Sequence, residues 1–265
     1  LSAQAIANRL IEVLTEPFVI RGLEAYVGGS VGISVVPSGG GAAVEIMHDA
    51  DIALYAAKEA GRGRWTVFDE TIRKRAQRRL ELESELRHAL ARNELVLHYQ
   101  PVVDLDSGEI HGFEALVRWQ HPELGLVPPA DFIPLAEETG LIVPLGAWVL
   151  EEACRQAVQW QSIRPERPVV MAVNVSPRQL PGRGFAQRLW RALSESGLSP
   201  ALLKLEVTEQ ALAEDEDTTA AFLDSMREVG VQLALDDFGV GYSSLGRLRA
   251  LPLSAAFAAC HHDTL

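Results

Sequence analysis

The chain has 265 residues, 48% of them hydrophobic and 23% charged, an ordinary globular composition that excludes disorder as the main state. This length predicts one or two domains and is enough to bury a core. The 24 basic against 36 acidic residues leave a net charge of −12, which argues against a nucleic-acid polymer held on a broad basic face and suits a site for hard cations.

The chain order begins with a predicted helix over Leu1–Leu14, where Ile6, Leu10, Val13 and Leu14 recur at helical spacing until Pro17 stops them. Two strand-like runs follow, Phe18–Ile20 and Tyr26–Val36, separated by Arg21-Gly22-Leu23-Glu24 as a turn. After a loop at Ser38–Gly41, a helix is expected from about Val44 to Ala60, ended by Gly61, and then a closing strand over Arg64–Phe68. These elements fill residues 1–70 and are thin for a free-standing domain. Residues 71–93 are dense in Arg, Glu and Leu and predict a solvated connecting helix, with Ile72, Ala76, Leu80, Leu82, Leu86 and Leu90 as its apolar stripe.

Beyond this helix, strands and helices alternate. Strands are expected at Leu95–Val103, Ile110–Trp119, Val169–Val175, Leu203–Thr208 and Gln232–Phe238, with helices at Asp131–Thr139, Pro144–Gln161, Phe185–Ser196 and Thr218–Val229. Short apolar strands separated by helices mark a buried parallel sheet, either doubly wound or a barrel. Five strands are counted, three short of an eight-stranded barrel. The two cysteines, Cys154 and Cys260, have no metal or redox spacing, and Cys154 reads as a buried inert thiol. This sparse usage fits a reducing, cytoplasmic setting. No apolar run reaches the length of a membrane span, and no signal peptide is read at the start.

Carboxylates gather in the strands. Glu114 lies within one, Asn174 and the pair Asp236-Asp237 end two others, and Glu206 sits in a fourth. In parallel β/α architectures, functional groups collect where strands end. Adjacent Asp236 and Asp237 would point to opposite sides unless a turn or bulge intervened, for which Gly239 and Gly241 give freedom. A single such carboxylate reads as a helix cap or surface residue, whereas four strands each offering an oxygen read as a site for Mg²⁺, Mn²⁺ or Ca²⁺. Residue chemistry alone leaves both readings open. The acidic run Glu209 to Asp217 reads as a solvated loop, and His98, His111 and His121 share no metal spacing.

Five blocks carry a resemblance: Gln100-Pro101 with Glu114-Ala115-Leu116-Val117-Arg118-Trp119; Pro129 to Glu137; Asn174-Val175-Ser176; Leu205-Glu206-Val207-Thr208-Glu209; and Asp236-Asp237-Phe238-Gly239 to Leu245. In this order they resemble EAL domains, the phosphodiesterases of cyclic di-GMP. Ser30-Val31-Gly32-Ile33 and Asp49 to Gly63 are similar to the second half of a GGDEF (diguanylate cyclase) domain. The resemblance implies an α/β fold: an incomplete TIM-like barrel whose first strand runs against the others, preceded by a partial GGDEF-like domain. It implies two Mg²⁺ or Mn²⁺ ions and hydrolysis of cyclic di-GMP to linear pGpG. Glu114, Asn174, Glu206 and Asp236 would ligate metal, with Asp237 at the second ion and Glu209 a carboxylate behind the ligands. Gln100, Leu116 and Arg118 would touch the dinucleotide, while Lys58 and Arg62 would be remnants of the cyclase nucleotide site. Dimerisation through the EAL-like domain is also implied, with any sensor or membrane anchor upstream of Leu1.

The chain departs from that pattern after Ser254. Where the resemblance expects a strand carrying Lys-Ile-Asp, Ala255 to Asp263 follow, and Phe257 stands in place of the lysine. The expected organisation is therefore a GGDEF-like half over 1–70, a linker helix over 71–93, a barrel over 94–254 cut after strand five, and a divergent tail over 255–265. Truncation or a shifted reading frame would produce such a tail. The Gly-Gly-Asp-Glu-Phe turn would precede Leu1, so cyclase activity is not expected. Phosphodiesterase activity is expected to be impaired, the alternative being a non-catalytic cyclic di-GMP-binding or interaction module.

Overall fold

The computed structural model describes residues 2–36, 42–180, 184–208, 216–238 and 255–258. The chain divides into two compact units, Leu1–Leu82 and Glu83–Leu265.

In the first unit, helix α1 (Ala3–Thr15) starts on Ser2, whose Oγ accepts from the Ala5 N–H at 3.2 Å. Strands β1 (Phe18–Ile20) and β2 (Leu23–Ala25) form an antiparallel hairpin. Its turn is only Arg21-Gly22, both at positive φ (54° and 83°), so Leu23 and Glu24 belong to the strand. Positive φ at both central residues gives the twist that a two-residue hairpin needs. The expected Tyr26–Val36 run shrinks to β3 (Val31–Ile33), which pairs parallel with β4 (Trp65–Val67). Helix α2 (Ala43–Glu59) lies across β3 so closely that a Cβ on Gly32 would overlap the Ala50 carbonyl oxygen. The expected loop at Ser38–Gly41 lies outside the described residues. Most large apolar side chains here are exposed, including Val19, Leu23, Val44 and Met47.

Helix α3 (Glu70–Ala89) carries the boundary between the units. Its expected stripe is split: Leu82 and Leu86 are buried, while Leu80 is 67% exposed. Leu80 and Leu82 are two residues apart and so lie on different sides of a helix.

The second unit is built on a sheet of order β11-β10-β9-β8-β6-β5. Strand β5 (Leu95–Val103) pairs antiparallel with β6 (Ile110–His121), and β8 (Val170–Val175), β9 (Leu203–Thr208), β10 (Gln232–Phe238) and β11 (Ala255–Ala258) continue it in parallel. One reversed strand followed by parallel ones is the strand run of the TIM-like barrel that the sequence predicts. Ala255–Ala258, expected in a divergent tail, instead forms a sixth barrel strand. Its apolar residues suit pairing beside β10, at the place where the resemblance expects a strand, although they lack that strand's Lys-Ile-Asp. A short strand β7 (Gly125–Val127), also unforeseen, folds back on the end of β6.

Helices α4 (Pro129–Thr139), α5 (Ile142–Ile163), α6 (Gly184–Ser196) and α7 (Glu216–Val229) connect the strands. The outer face of the sheet packs on them: Phe113 of β6 meets Trp160 of α5 at 4.5 Å between ring centroids, and Trp119 meets Phe132 of α4 at 5.8 Å. Met171, Val173, Leu203, Leu205 and Leu235 are buried on that face. Cys154 is buried in α5, and burial pushes its thiol up to about 12. No described helix is long and apolar enough to cross a membrane.

Candidate active site

Residues alternate between the two faces of a strand, so a sheet whose outer face meets helices leaves the other residues facing inward. Register places the inner residues in rows. One row runs Gln100, Glu114, Ala172, Lys204, Gln232 across β5, β6, β8, β9 and β10. The next brings Asn174 beside Glu206 and Ala234, and the one after sets Thr208 beside Asp236. The polar positions thus climb from strand to strand, as strands tilted in a barrel require. Along β8 and β9 burial follows the same gradient: Val170, Ala172 and Lys204 are buried, Glu206 and Thr208 are half-buried, and Asn174 is exposed. On these two strands the inner face opens toward their C-terminal ends.

At that open end the Asn174 amide nitrogen donates to Glu114 Oε1 at 2.6 Å. This bond orients the amide, so its oxygen is the atom offered to a cation. Behind it the chain is pinned. The Ser176 N–H donates to Gln179 Oε1 at 3.0 Å, and Ser176 Oγ donates to Glu137 Oε1 of α4 at 2.6 Å. Ser176 caps a short 3₁₀ turn, Pro177–Gln179, with Gln179 bonding back in a capping box. The side chain of buried Gln179 fits because α5 has Gly146 beneath it, where a Cβ would collide with the amide. The motif blocks at Pro129–Glu137 and Asn174–Ser176, separate in sequence, therefore meet at one bond.

The other predicted positions fall as follows. Gln100 is directly opposite Glu114, and Leu116 and Arg118 follow on the same face of β6, half-buried. Arg118 donates to the Val117 carbonyl at 3.0 Å. Asp236 and Asp237 are described in backbone alone. There, Leu235 opposes Ala256 and Phe238 opposes Ala258, three steps of β10 against two of β11, so the register slips at these aspartates as a bulge does. Glu209 and the 239–245 loop lie outside the described residues. Lys58 and Arg62 are exposed at the C-terminal end of α2 in the other unit, Arg62 at φ 57°; a cation in a last helical turn also serves the helix dipole.

Among the described residues no three His, Cys, Asp or Glu side chains converge as a metal site. The described part of the expected set is two carboxylates and an amide on adjacent strands. That all-oxygen donor chemistry fits a hard divalent cation. His121 serves structure: Nδ1 accepts from the N–H groups of Glu123 (3.1 Å) and Leu124 (3.3 Å), leaving Nε2–H for Glu85. A cleft of about 390 Å³ is lined by Ile110, Phe113, Trp160, Arg164 and Arg167. It lies at the starts of β6 and β8, away from Asn174 and Glu206, so donor chemistry rather than cavity size marks the site. Sequence reasoning missed Lys204, whose signal is a lysine inside an apolar strand. It also missed the roles of Gln179 and Gly146, which no motif announces.

The family model described as EAL domain matches residues 83–256, and that of the diguanylate cyclase, GGDEF domain, matches residues 1–64. An uncharacterized signaling protein of Caulobacter vibrioides is 46% identical over 254 residues, 94% of this chain and 30% of that protein. The bifunctional diguanylate cyclase/cyclic di-GMP phosphodiesterase MucR of Pseudomonas aeruginosa and the cyclic di-GMP phosphodiesterase PdeR of Escherichia coli are each 42% identical over 252 residues, 95% of this chain and 37% and 38% of theirs. The chain thus spans about a third of the length of these relatives. Among solved structures, the MucR phosphodiesterase in complex with c-di-GMP superposes with a TM-score of 0.64 at 45% identity, covering 66% of this chain and 71% of that one. The FimX EAL domain of Pseudomonas aeruginosa, bound to c-di-GMP, gives 0.59 at 25% identity, covering 66% and 70%. With residues 83–256 matched, the chain belongs to the EAL-domain family, preceded within residues 1–64 by GGDEF-domain sequence.

Proposed function

We propose that this chain binds cyclic di-GMP at the open end of the barrel and hydrolyses one of its phosphodiester bonds to give pGpG, using Mg²⁺ or Mn²⁺. The observation that carries the reading is the juxtaposition of Glu114, Asn174 and Glu206 on the inner face where the strands end, in a chain of the EAL family. Glu114, Asn174, Glu206 and Asp236 would hold the cations, with Asp237 at the second and Glu209 behind them. Two bound cations supply an acidified water, a grip on the phosphate, and neutralisation of charge on the leaving oxygen. Asn174 completes the oxygen set without adding charge, and its bond to Glu114 keeps that carboxylate oriented. Gln100, directly across from Glu114, and Leu116 would line the dinucleotide, and Arg118 would turn from the Val117 carbonyl to a phosphate, a charge-assisted partner. Lys58 and Arg62 would be remnants of a cyclase nucleotide site.

Incubating the purified chain with cyclic di-GMP and Mn²⁺ or Mg²⁺, then separating nucleotides by chromatography, tests this. Cation-dependent pGpG is expected; neither binding by calorimetry nor product would refute the assignment. A second reading, binding with little or no turnover, is favoured by Phe257 on β11, where the resemblance places a lysine. Micromolar binding without pGpG selects it. Light scattering checks the implied dimer.

A further inference from the structure

Lys204 is a charged side chain buried in the body of the barrel, at 7% exposure. Lysine is almost never buried without a counter-charge. Its row on the inner face is Glu114–Ala172–Lys204. Two strand spacings put Glu114 and Lys204 about 10 Å apart at the backbone, and only the small side chain of Ala172 stands between them. Glu206 follows two residues later on the same face of β9, about 7 Å along the strand. Ala172 beside Lys204 and Val170 in the row below are buried, whereas Asn174, in the row above, is exposed. A long aliphatic stem in such a place would carry its charged tip toward the polar end. Lys204, Glu114 and Glu206 are each engaged in hydrogen-bonding or electrostatic contacts.

We propose that Lys204 is the resident counter-cation of the acidic mouth. Its ammonium holds the carboxylates of Glu114 and Glu206 against their mutual repulsion, and it sets how tightly a divalent cation binds above it. This makes Lys204 a positioning residue, and the inference rests on the metal-site reading given above. A fixed positive charge beside the ligating carboxylates weakens the binding of a dication there, even after screening by water and salt.

The test is Mn²⁺ binding to the full chain by calorimetry, together with the Mn²⁺-induced rise in Tm. Lys204→Met keeps the stem and removes the charge. It should lower Tm without metal, gain a larger Mn²⁺-induced rise than wild type, and bind Mn²⁺ about tenfold more tightly. Methionine keeps a stem that merely fills space, so in that case Tm without metal and the Mn²⁺-induced rise would both match wild type. That result, or a Kd changed by less than about threefold, or weaker binding, overturns the proposal. Lys204→Arg keeps the charge and should keep the wild-type Kd. If Lys204→Met does not fold even with Mn²⁺, the arginine variant decides: wild-type affinity supports the charge role and its loss refutes it. Wild-type chain without any Mn²⁺ response would overturn the metal site itself and this inference with it. A normal wild-type response with unresponsive variants would overturn the role of Lys204 alone.

Discussion

Gly146→Ala tests whether the support behind Asn174 is packed as described. A Cβ at position 146 would meet Gln179, whose Cδ lies 2.7 Å from that point and whose side chain is buried. Displacing the amide removes the bond from Ser176 N–H to Gln179 Oε1. Overpacking a tight site costs about 1–3 kcal/mol and the lost bond about 1 kcal/mol. Alanine in a helix interior recovers about 1 kcal/mol relative to glycine. The net is a loss of about 1–3 kcal/mol, or roughly 3–10 °C in Tm for a unit of this size. In a Gln179→Ala background the obstruction is gone, so Gly146→Ala should instead stabilise by about 0.5–1 kcal/mol through helix propensity. Urea and thermal unfolding followed by circular dichroism give the cycle. The same sign of effect in both backgrounds would refute the reasoning, because no coupling would then pass through Gln179.

Three further outcomes are expected. Asn174→Ala removes both an oxygen donor and the bond that orients Glu114, and should weaken Mn²⁺ binding about ten- to a hundredfold by calorimetry. Glu206→Gln should abolish Mn²⁺-dependent pGpG formation while leaving the far-ultraviolet spectrum unchanged, since the half-buried side chain faces the mouth. The Cys154 thiol, pushed up to about 12 by burial, should resist alkylation at pH 8 until the chain is unfolded, as read by mass spectrometry. Its raised value also fixes a sign. The neutral thiol is favoured in the fold, so its contribution is intact below the ordinary thiol pKa of about 9. As pH rises from there toward 12, stability falls by about 1.4 kcal/mol per pH unit, which unfolding measured against pH would show.

The strands that carry the site could be read in sequence because they are short apolar runs bounded by turn residues. Leu203–Thr208 and Gln232–Phe238 are observed with their predicted limits. Helix α5 is likewise legible at Pro144–Gln161, with Leu145, Trp148, Val149, Glu152 and Gln156 defining its sides, and Pro144 sits in its first turn as expected. The hairpin turn was misplaced because a two-residue turn needs φ > 0, and Arg21 gives no sign of adopting it. Strand β11 is read as tail because Ala255–Ala258 replaces the Lys-Ile-Asp that the resemblance expects, and its conformation comes from pairing with β10, a long-range bond pattern.

By itself, the sequence determined which residue types are available and where along the chain they fall: the acidic residues, the alternating β/α order, and five motif blocks that belong to one family. Only the tertiary structure decided which of them meet. Register across β6, β8 and β9 sets Asn174 on Glu114, aligns Glu206 beside Asn174, and lays Lys204 in the row of Glu114. Packing of α4 and α5 against the loop after β8 joins Ser176 to Glu137 and fits Gln179 over Gly146. Local sequence encodes propensity and period, whereas stagger between strands and contacts between distant segments arise only when the chain closes on itself.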